Sequence, residues 1–320
     1  MNRRVWQADA ILLLTAMIWG TGFVAQRLGM EAVGPMLFNA LRFALGALIL
    51  LPILLRSGFL AELKKALAGG VVAGTVLFCG AAFQQIGLIY TSVANAGFIT
   101  GLYVIFVPII GLGFAHRTPP GTWVGAALAV TGLYLLSVTE TFTMAFGDGL
   151  QLAGAVFWAM HVLVLGHYAV RINPLCLAFL QFVVCSFISL CAALATETIS
   201  LDAIHDASGA ILYSGLIAVG MGYTLQVVGQ KGARPAHAAI LLSLEAVFAA
   251  LAGWLILGEV LSPRALLGCA LMLGGMLVAQ LAPLYRRSSS GMVSEAIEAG
   301  TARRHAAAGY RGSREHGGCA

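Results

Sequence analysis

Long apolar runs, separated by short polar connections, follow one another along almost the whole chain. The runs are continuous rather than alternating between polar and apolar residues, which favours membrane helices over the strands of a membrane barrel. Most approach the ~20 residues that a helix needs to cross the hydrocarbon core of a bilayer. The pattern predicts ten spans, near residues 9–28, 35–55, 67–89, 94–115, 122–138, 149–168, 174–195, 209–229, 237–257 and 265–283.

The composition excludes a soluble protein. Hydrophobic residues make up 60% of the 320 residues and charged residues 10%, against about 25% charged residues in ordinary globular domains. So few charges cannot cover a soluble surface, and the apolar excess also argues against a disordered chain. The basic residues lie between the apolar runs rather than in a patch, which argues against a nucleic-acid partner. We therefore predict an all-α polytopic membrane protein.

The distribution of positive charge predicts the orientation of the chain. Fifteen of the 18 lysines and arginines fall in the two termini or in even-numbered loops, and only Arg27 and Arg264 fall on the opposite side. Cytoplasmic loops carry an excess of Lys and Arg. We expect a multi-pass protein of the plasma (inner) membrane with both termini cytoplasmic. Residues 286–320, rich in Arg, Ser, Gly and Ala, are predicted to form a disordered basic cytoplasmic tail.

The two halves of the chain repeat one another. Trp19-Gly20 corresponds to Trp158-Ala159 at a sequence offset of 139, and Pro35 corresponds to Pro174 at the same offset. Further along, the offset becomes 142 and then 143, with these matches: Gln84/Gln226, Gly87/Gly229, Ala94-Asn95-Ala96/Ala236-His237-Ala238, Pro120/Pro263 and Gly125/Gly268. Ordered matches with two small gaps indicate an internal duplication. We predict repeats at 1–138 and 147–285, each with five transmembrane helices.

The number of helices per repeat predicts a mechanism. Five is odd, so the second repeat must enter the membrane from the opposite side. Two inverted repeats around a central cavity can exchange inward- and outward-facing conformations, which is the geometric basis of alternating access. An enzyme or a receptor does not need this symmetry, and we therefore expect a transporter.

Several motifs resemble a known family. Residues 16–23 (AMIWGTGF) and Leu41-Arg42-Phe43 are similar to the first two helices of EamA-type drug/metabolite transporters. Leu257-Gly258-Glu259, followed by Pro263 and Gly268, is similar to the family's sequence between helices nine and ten, whereas residues 114–117 lack the corresponding Gly-Glu. The resemblance implies ten helices around a central cavity and the transport, often outward, of amino acids, other metabolites, nucleobase-like compounds or drugs.

Polar residues inside the spans are the candidate solute ligands, because an ionisable group there costs ~2.5–3.5 kcal/mol on insertion scales. Glu245 lies mid-span, and its repeat partner is Tyr103. His237 and Asn95 form a second repeat pair, eight residues earlier and on the same helix faces as Glu245 and Tyr103. Glu245 is predicted to bind solute or to exchange a proton. Asn95 and Tyr103 are predicted either to line the cavity or to pack helices through hydrogen bonds.

Amides and aromatic rings extend this candidate site. Gln84 and Gln226 can both donate and accept hydrogen bonds, so they suit a polar solute, or they bridge helices. Trp19, Trp158 and Tyr223 could supply flat cavity walls, and His161 shares a helix face with Trp158. For His161, titration or solute binding competes with a structural helix contact. Arg42 could hold a carboxylate, but a structural partner or snorkelling to the nearer membrane face is favoured for it.

The absent motifs narrow the function further. The sequence contains no Walker loop, no HExxH and no histidine box, so we expect no cofactor, no metal and no enzymatic activity. The leading hypothesis is a secondary-active exporter of a small polar or amphipathic metabolite such as an amino acid. Uptake is the alternative direction, and a membrane-embedded enzyme or sensor the alternative class. Proton coupling and a homodimer stay open, with lipid and the solute as the expected partners.

Overall fold

The computed structural model describes residues 3–55, 59–91, 93–114, 118–137, 146–248, 251 and 262–279. Every regular element within those ranges is a helix. In chain order the first seven are α1 (Arg3–Gly29), α2 (Pro35–Leu55), α3 (Phe59–Tyr90), α4 (Val93–Gly101), α5 (Tyr103–Gly113), α6 (Pro120–Ser137) and α7 (Phe146–Tyr168). The others are α8 (Pro174–Thr196), α9 (Leu201–Asp206), α10 (Ser208–Leu212), a π-helical segment (Tyr213–Tyr223), α11 (Thr224–Gln230), α12 (Pro235–Leu242) and α13 (Pro263–Ala279).

The helices confirm an all-helical, multi-pass membrane protein. Six segments are long and apolar enough to cross a bilayer: Val5–Gly29, Pro35–Leu55, Glu62–Tyr90, Phe146–Tyr168, Pro174–Thr196 and Ser208–Gln230. Shorter apolar helices cover Ile99–Gly113, Pro235–Phe248 and Pro263–Ala279, and α6 adds 18 residues. The predicted tail at 286–320 and the Leu257-Gly258-Glu259 motif lie outside the described residues.

Proline marks the start of five helices, α2, α6, α8, α12 and α13. The first turn of a helix tolerates proline, because its missing N–H would have no partner inside the helix there. The remaining free N–H groups of α8 are capped by its own Asn173, whose Oδ1 accepts from the Leu175 N–H at 2.9 Å. Those of α2 are capped by Glu197, whose two carboxylate oxygens accept from the N–H groups of Met36 and Leu37 at 2.7 and 2.8 Å.

The fourth and ninth predicted spans are interrupted rather than continuous. Leu102 separates α4 from α5, and its N–H donates to Ile99 three residues back. The helix from Pro235 is likewise interrupted at residues 243–244, where the Leu244 N–H donates to Leu241. Three-residue hydrogen bonds tighten the helix locally and change the direction of the side chains that follow. Tyr103 and Glu245 stand directly after these two interruptions.

Glycine lets α6 and α13 approach at backbone distance. A Cβ built on Gly125 would lie 2.6 Å from the carbonyl oxygen of Gly275, and one on Gly132 would lie 2.5 Å from that of Gly268. No side chain fits into either gap, so the two helices cross with their backbones in contact. Gly125 corresponds to Gly268, and Gly132 corresponds to Gly275 at the same repeat offset. Exchanging the two halves therefore maps each contact onto the other.

Candidate functional site

A central cavity lies between helices of both halves of the chain. The space between its lining atoms, together with the part that is open to the exterior, amounts to about 530 Å³. α1 contributes four residues that lie on one face of the helix, Trp19, Gly22, Phe23 and Gln26. The remaining lining residues come from α2, α3, α4, α5, α7, the π-helical segment, α11, α12 and the residues that follow α12: Arg42, Gln84, Thr100, Tyr103, Trp158, Val162, Ala218, Tyr223, Gln226, Leu242 and Glu245.

The structure brings together seven of the nine residues that the sequence singles out. Those seven line the cavity: Trp19, Gln84, Tyr103, Trp158, Tyr223, Gln226 and Glu245. His161 is not among the lining residues and lies behind the aromatic wall. The side chain of Asn95 lies outside the described residues.

Tyr223 is the centre of an aromatic cluster that forms one wall. Its ring centroid lies 4.5 Å from that of Trp19 and 6.0 Å from that of Trp158, with which it stacks at an interplanar angle of 22°. Phe43 and Phe182 pack on its other sides at 5.8 and 6.3 Å. Rings in mutual contact at these distances hold one another in place. The wall is therefore drawn from several different helices.

The two tryptophans of this wall differ in their hydrogen bonds. The indole Nε1 of Trp19 donates to the carbonyl oxygen of Ala218 at 3.0 Å. The indole Nε1 of Trp158 is buried and has no acceptor among the described residues. An indole N–H is a donor only, and a buried donor without an acceptor is costly. Trp158 is thus the tryptophan with a donor available to a bound solute.

Two ionisable side chains, one basic and one acidic, line the same cavity. Arg42 is 2% exposed, and its guanidinium lies 5.0 Å from the ring centroid of Phe43. Its Nε and Nη2 atoms have no acceptor in the part of the chain that the structure describes. Glu245 is 5% exposed, with no hydrogen bond or ion pair to a described residue. A buried ion without a partner is unfavourable, so both groups suit a ligand that supplies the missing partners.

An amide network supports one side of the cavity. Gln84 donates to the Thr100 hydroxyl at 3.5 Å, and that hydroxyl donates to Gln151 Oε1 at 3.2 Å. Gln151 Nε2 returns a bond to the Gln84 carbonyl oxygen at 2.9 Å, so three helices are joined. Across the cavity, Gln226 Oε1 is buried without a donor among the described residues. Gln84 is thus held in place, while Gln226 keeps a free acceptor.

His161 supports the aromatic wall from behind. Its Nε2 lies 2.8 Å from Gln181 Oε1. Because an amide oxygen only accepts, this contact puts the imidazole hydrogen on Nε2. The ring also meets Trp158 and Tyr223 edge-on, at centroid distances of 6.0 and 6.3 Å. These contacts favour the structural interpretation of His161, in which it orients two wall residues without reaching the cavity.

Sequence reasoning missed several lining residues. Arg42 was interpreted as structural, and Gln26 and Thr100 were not considered. Gln26 carried a usable signal, because it follows Trp19 by seven residues and so shares its helix face. Arg42 carried a weaker signal, as an ionisable residue inside a span, but its spacing does not distinguish a residue that faces the cavity from one that faces a neighbouring helix.

The two halves each match the same family. Residues 6–138 and residues 145–280 both match the sequence model of the "EamA-like transporter family".

Related proteins cover most of the chain. An "Uncharacterized transporter" of Archaeoglobus fulgidus is 33% identical over 275 residues, 86% of either chain. "Uncharacterized transporter YwfM" of Bacillus subtilis is 30% identical over 294 residues, 87% of this chain and 95% of that one. A solved structure described as "Crystal structure of protein" superposes with a TM-score of 0.74 at 22% identity. It covers 88% of this chain and 98% of its own, which supports the fold alone.

Proposed function

The chain belongs to the EamA-like transporter family, and from that premise we propose that it exports a small zwitterionic metabolite, such as an amino acid, by secondary-active alternating access. One observation carries the choice of solute: a basic side chain, Arg42, and an acidic one, Glu245, line the same cavity. Membrane transport itself follows from the family and from the related transporters. The solute, its direction and the mechanism are the proposal.

The charges of the cavity match those of a zwitterion. A guanidinium binds a carboxylate through two parallel N–H donors, and Arg42 has Nε and Nη2 without a partner among the described residues. A carboxylate at Glu245 can accept from a primary ammonium. A solute with both groups would neutralise both buried charges at once, whereas an amine or an acid alone would leave one of them unpaired at a cost. This difference provides the selectivity.

The walls favour a solute with a flat or apolar side chain. Trp19, Trp158 and Tyr223 offer ring faces on one side of the cavity. Gln226 Oε1 and the Trp158 indole N–H add an acceptor and a donor that no described residue satisfies. A mostly apolar pocket with a few polar groups that converge is the usual design of a small-molecule site. The side chain would lie against the rings while the charged end meets Arg42 and Glu245.

The proposed mechanism uses ten helices in two inverted five-helix repeats. The two matches of the family model support a duplication. The exchangeable contacts of Gly125 with Gly275 and of Gly132 with Gly268 support a twofold relation between the halves. The interruptions before Tyr103 and Glu245 stand at one repeat offset, and interrupted helices at a central site are a common feature of transporters built from repeats.

Glu245 is the proposed coupling group. In an apolar cavity a carboxyl has two favourable states, protonated or paired with a cation. Solute release on one side would leave it to take a proton there, and solute binding on the other side would displace that proton. This cycle couples proton entry to solute exit. The structural alternative is a permanently protonated Glu245 that only packs.

Flux in proteoliposomes tests the proposal. We expect a proton gradient to drive accumulation of a labelled aromatic amino acid, and Glu245→Gln to abolish the gradient dependence, since glutamine keeps the size but cannot titrate. Parallel assays would use the corresponding amine and the corresponding acid, which should move far more slowly. Chemical conversion of the solute without its movement would contradict transport. Accumulation of the solute when the proton gradient has the opposite direction would indicate uptake rather than export. Unchanged pH dependence in Glu245→Gln would contradict the coupling role.

A further inference from the structure

A partly buried polar contact between two helices, Asp9 with His237, lies outside the cavity. His237 Nε2 of α12 is 2.9 Å from Asp9 Oδ1 of α1, and the two side chains are 17% and 6% exposed. Two other ion pairs of the described chain, Glu62–Lys65 and His205–Asp206, each join residues of a single helix. The Asp9–His237 contact, in contrast, joins residues 228 positions apart on separate helices.

The contact lies between the cavity and the N-terminal end of α1. The cavity residues of α1 begin at Trp19, ten residues after Asp9, which is about 15 Å along a helix. On α12 the first cavity residue is Leu242, five residues after His237 and about 7.5 Å away. At the other end the lining extends to Gln26, one turn from the end of α1. The cavity therefore extends toward the C-terminal end of α1, and the Asp9–His237 contact lies on its opposite side.

Apolar side chains of α1 lie along the helix between the contact and the cavity. Ala16 of α1 is fully buried in one cluster with Leu244, and Leu13 packs against that cluster. Asp9, Ala16 and Phe23 recur at seven-residue intervals and so share a face of α1. A solute leaving the cavity toward the N-terminal end of α1 would have to separate these apolar side chains and then the Asp9–His237 contact.

The opposite end of the proposed pathway is held differently. Asp148 corresponds to Asp9 at the repeat offset of 139, and it accepts a hydrogen bond from the Thr91 hydroxyl, directly after α3. That bond has a neutral donor and joins α7 to the end of α3. The Asp9 bond has an imidazole donor and joins α1 to α12.

We propose that the Asp9–His237 pair is a latch that closes the solute pathway at the N-terminal end of α1 and breaks when that end opens. This inference rests on the proposed function, because alternating access requires contacts at one end to break while those at the other end form. The rival interpretation is a permanent helix–helix contact that persists in every state.

The accessibility of Ala16 distinguishes the two interpretations. Ala16→Cys is introduced into a full-length chain whose six native cysteines are replaced by alanine. Membrane-impermeant maleimide is then added to vesicles of either orientation. We expect Asp9→Ala to raise the labelling rate about tenfold, equivalent to about 1.4 kcal/mol, and only from the face that carries the N-terminus. His237→Ala should give the same increase, because it removes the partner without changing α1.

A charge swap supplies the decisive control. Asp9→His combined with His237→Asp restores the pair in reverse and should return labelling to the rate of the parent chain. The matched control is Glu62→Lys with Lys65→Glu, which swaps an exposed pair on α3 and should leave labelling unchanged. If the single variants do not yield folded protein, the swap decides: a folded swap with parent-rate labelling supports the latch, and failure of the swap to fold overturns it.

The labelling assay needs no solute, so the two proposals fail separately. Solute flux with a labelling rate that Asp9→Ala changes less than twofold would overturn the latch and leave the proposed function standing. A tenfold labelling response without flux of any zwitterion would overturn the proposed function instead. Increased labelling from both faces would also overturn the latch, because it would indicate general loosening of the bundle.

Discussion

The span Glu62–Tyr90 lies within one continuous α-helix, whereas the span Ser208–Gln230 passes through a π-helical segment at Tyr213–Tyr223. The two spans carry corresponding residues, Gln84 and Gln226, and both residues line the cavity. The repeat offset is 139 before these spans, 141 at Gly74/Gly215 and 142 at Gln84/Gln226. The second span therefore accommodates one residue that the first one lacks.

Glycine contacts locate the inserted residue. In α3, a Cβ on Gly74 would lie 2.6 Å from Val184 Cβ, and one on Gly80 would lie 3.2 Å from the Trp158 ring. In the second span the equivalent contacts are Gly215 with Leu45 Cβ at 2.6 Å and Gly222 with the Trp19 ring, whose Nε1 lies at 2.6 Å. The second glycine follows the first by six positions in α3 and by seven in the second span.

A π-helical turn is the local response to one added residue in a helix. It widens the helix where the insertion lies and leaves the contacts on both sides in register. The glycines of both spans keep their contacts with α2 or α8 and with a tryptophan ring. These contacts, rather than local propensity, therefore decide whether the segment between them is an α-helix or a π-helix. It also explains an asymmetry of the cavity, because the π-helical segment supplies the Ala218 carbonyl that Trp19 binds.

Deletions should break this comparison with the largest effect. Deletion of Thr75, exposed on α3, would rotate everything beyond it by about 100°. This rotation would move Gly80 away from the Trp158 ring. It would also turn Gln84 out of the cavity, so we expect loss of folded protein. Deletion of Met221, 45% exposed in the π-helical segment, should restore six-residue spacing and an α-helix, with the protein still folded. Size-exclusion chromatography of fluorescent fusions measures both. Equal losses of folded protein in the two deletion variants would contradict an inserted residue in the π-helical segment.

Filling the equivalent glycine contacts should have a smaller and equal effect. Gly74→Leu and Gly215→Leu each place a side chain where a Cβ already lies within 2.6 Å of a neighbour. Overpacking of this kind costs about 1–3 kcal/mol. Thermal unfolding in detergent should show similar decreases in Tm for the two variants. Gly209→Leu is the control, since nothing lies within 4 Å of its Cβ. A large difference between the first two would argue against their equivalence.

Substitution of the two tryptophans should have different effects, one on stability and the other on solute binding. Trp19→Phe removes the hydrogen bond to Ala218 and should cost about 1 kcal/mol of stability. Trp158→Phe removes a buried donor that has no described acceptor, so its Tm should stay near that of the parent protein while solute affinity falls. Thermal unfolding with and without an aromatic amino acid measures both effects. A larger loss of Tm in Trp158→Phe than in Trp19→Phe would reverse the assignment.

Tyr103→Phe should have the smallest effect on stability. The Tyr103 hydroxyl is buried without a partner among the described residues, so its removal costs no hydrogen bond to them. We expect a change in Tm close to zero and, if the hydroxyl meets the solute, a several-fold rise in the apparent KM for transport. A marked fall in Tm would contradict this expectation.

The sequence predicted the part of the site that recurs. Trp19 with Trp158 and Gln84 with Gln226 stood out because each is a polar or aromatic residue repeated at a fixed offset inside an apolar run. The all-helical fold followed from the length of those runs. Both inferences use one-dimensional spacing, which the chain displays directly.

Features that depend on the rotation of a helix about its axis, or on contacts between helices, could not be predicted in this way. Arg42 faces the cavity because of the rotation of α2 against its neighbours, which sequence spacing does not report. The interruption at Leu102 and the π-helical segment replace ordinary α-helical bonds within continuous apolar runs. Packing overrides local propensity at both places, although the change in repeat offset from 139 to 142 hinted at the second.

Counterflow in proteoliposomes tests the central claim most directly, because exchange of labelled for unlabelled solute needs no gradient. The account predicts that the parent protein exchanges a zwitterionic amino acid but neither its amine nor its acid analogue. Arg42→Gln should lower this exchange at least tenfold while the protein stays folded, because the solute carboxylate loses its partner. Exchange of the zwitterion by Arg42→Gln at the parent rate would contradict binding in this cavity.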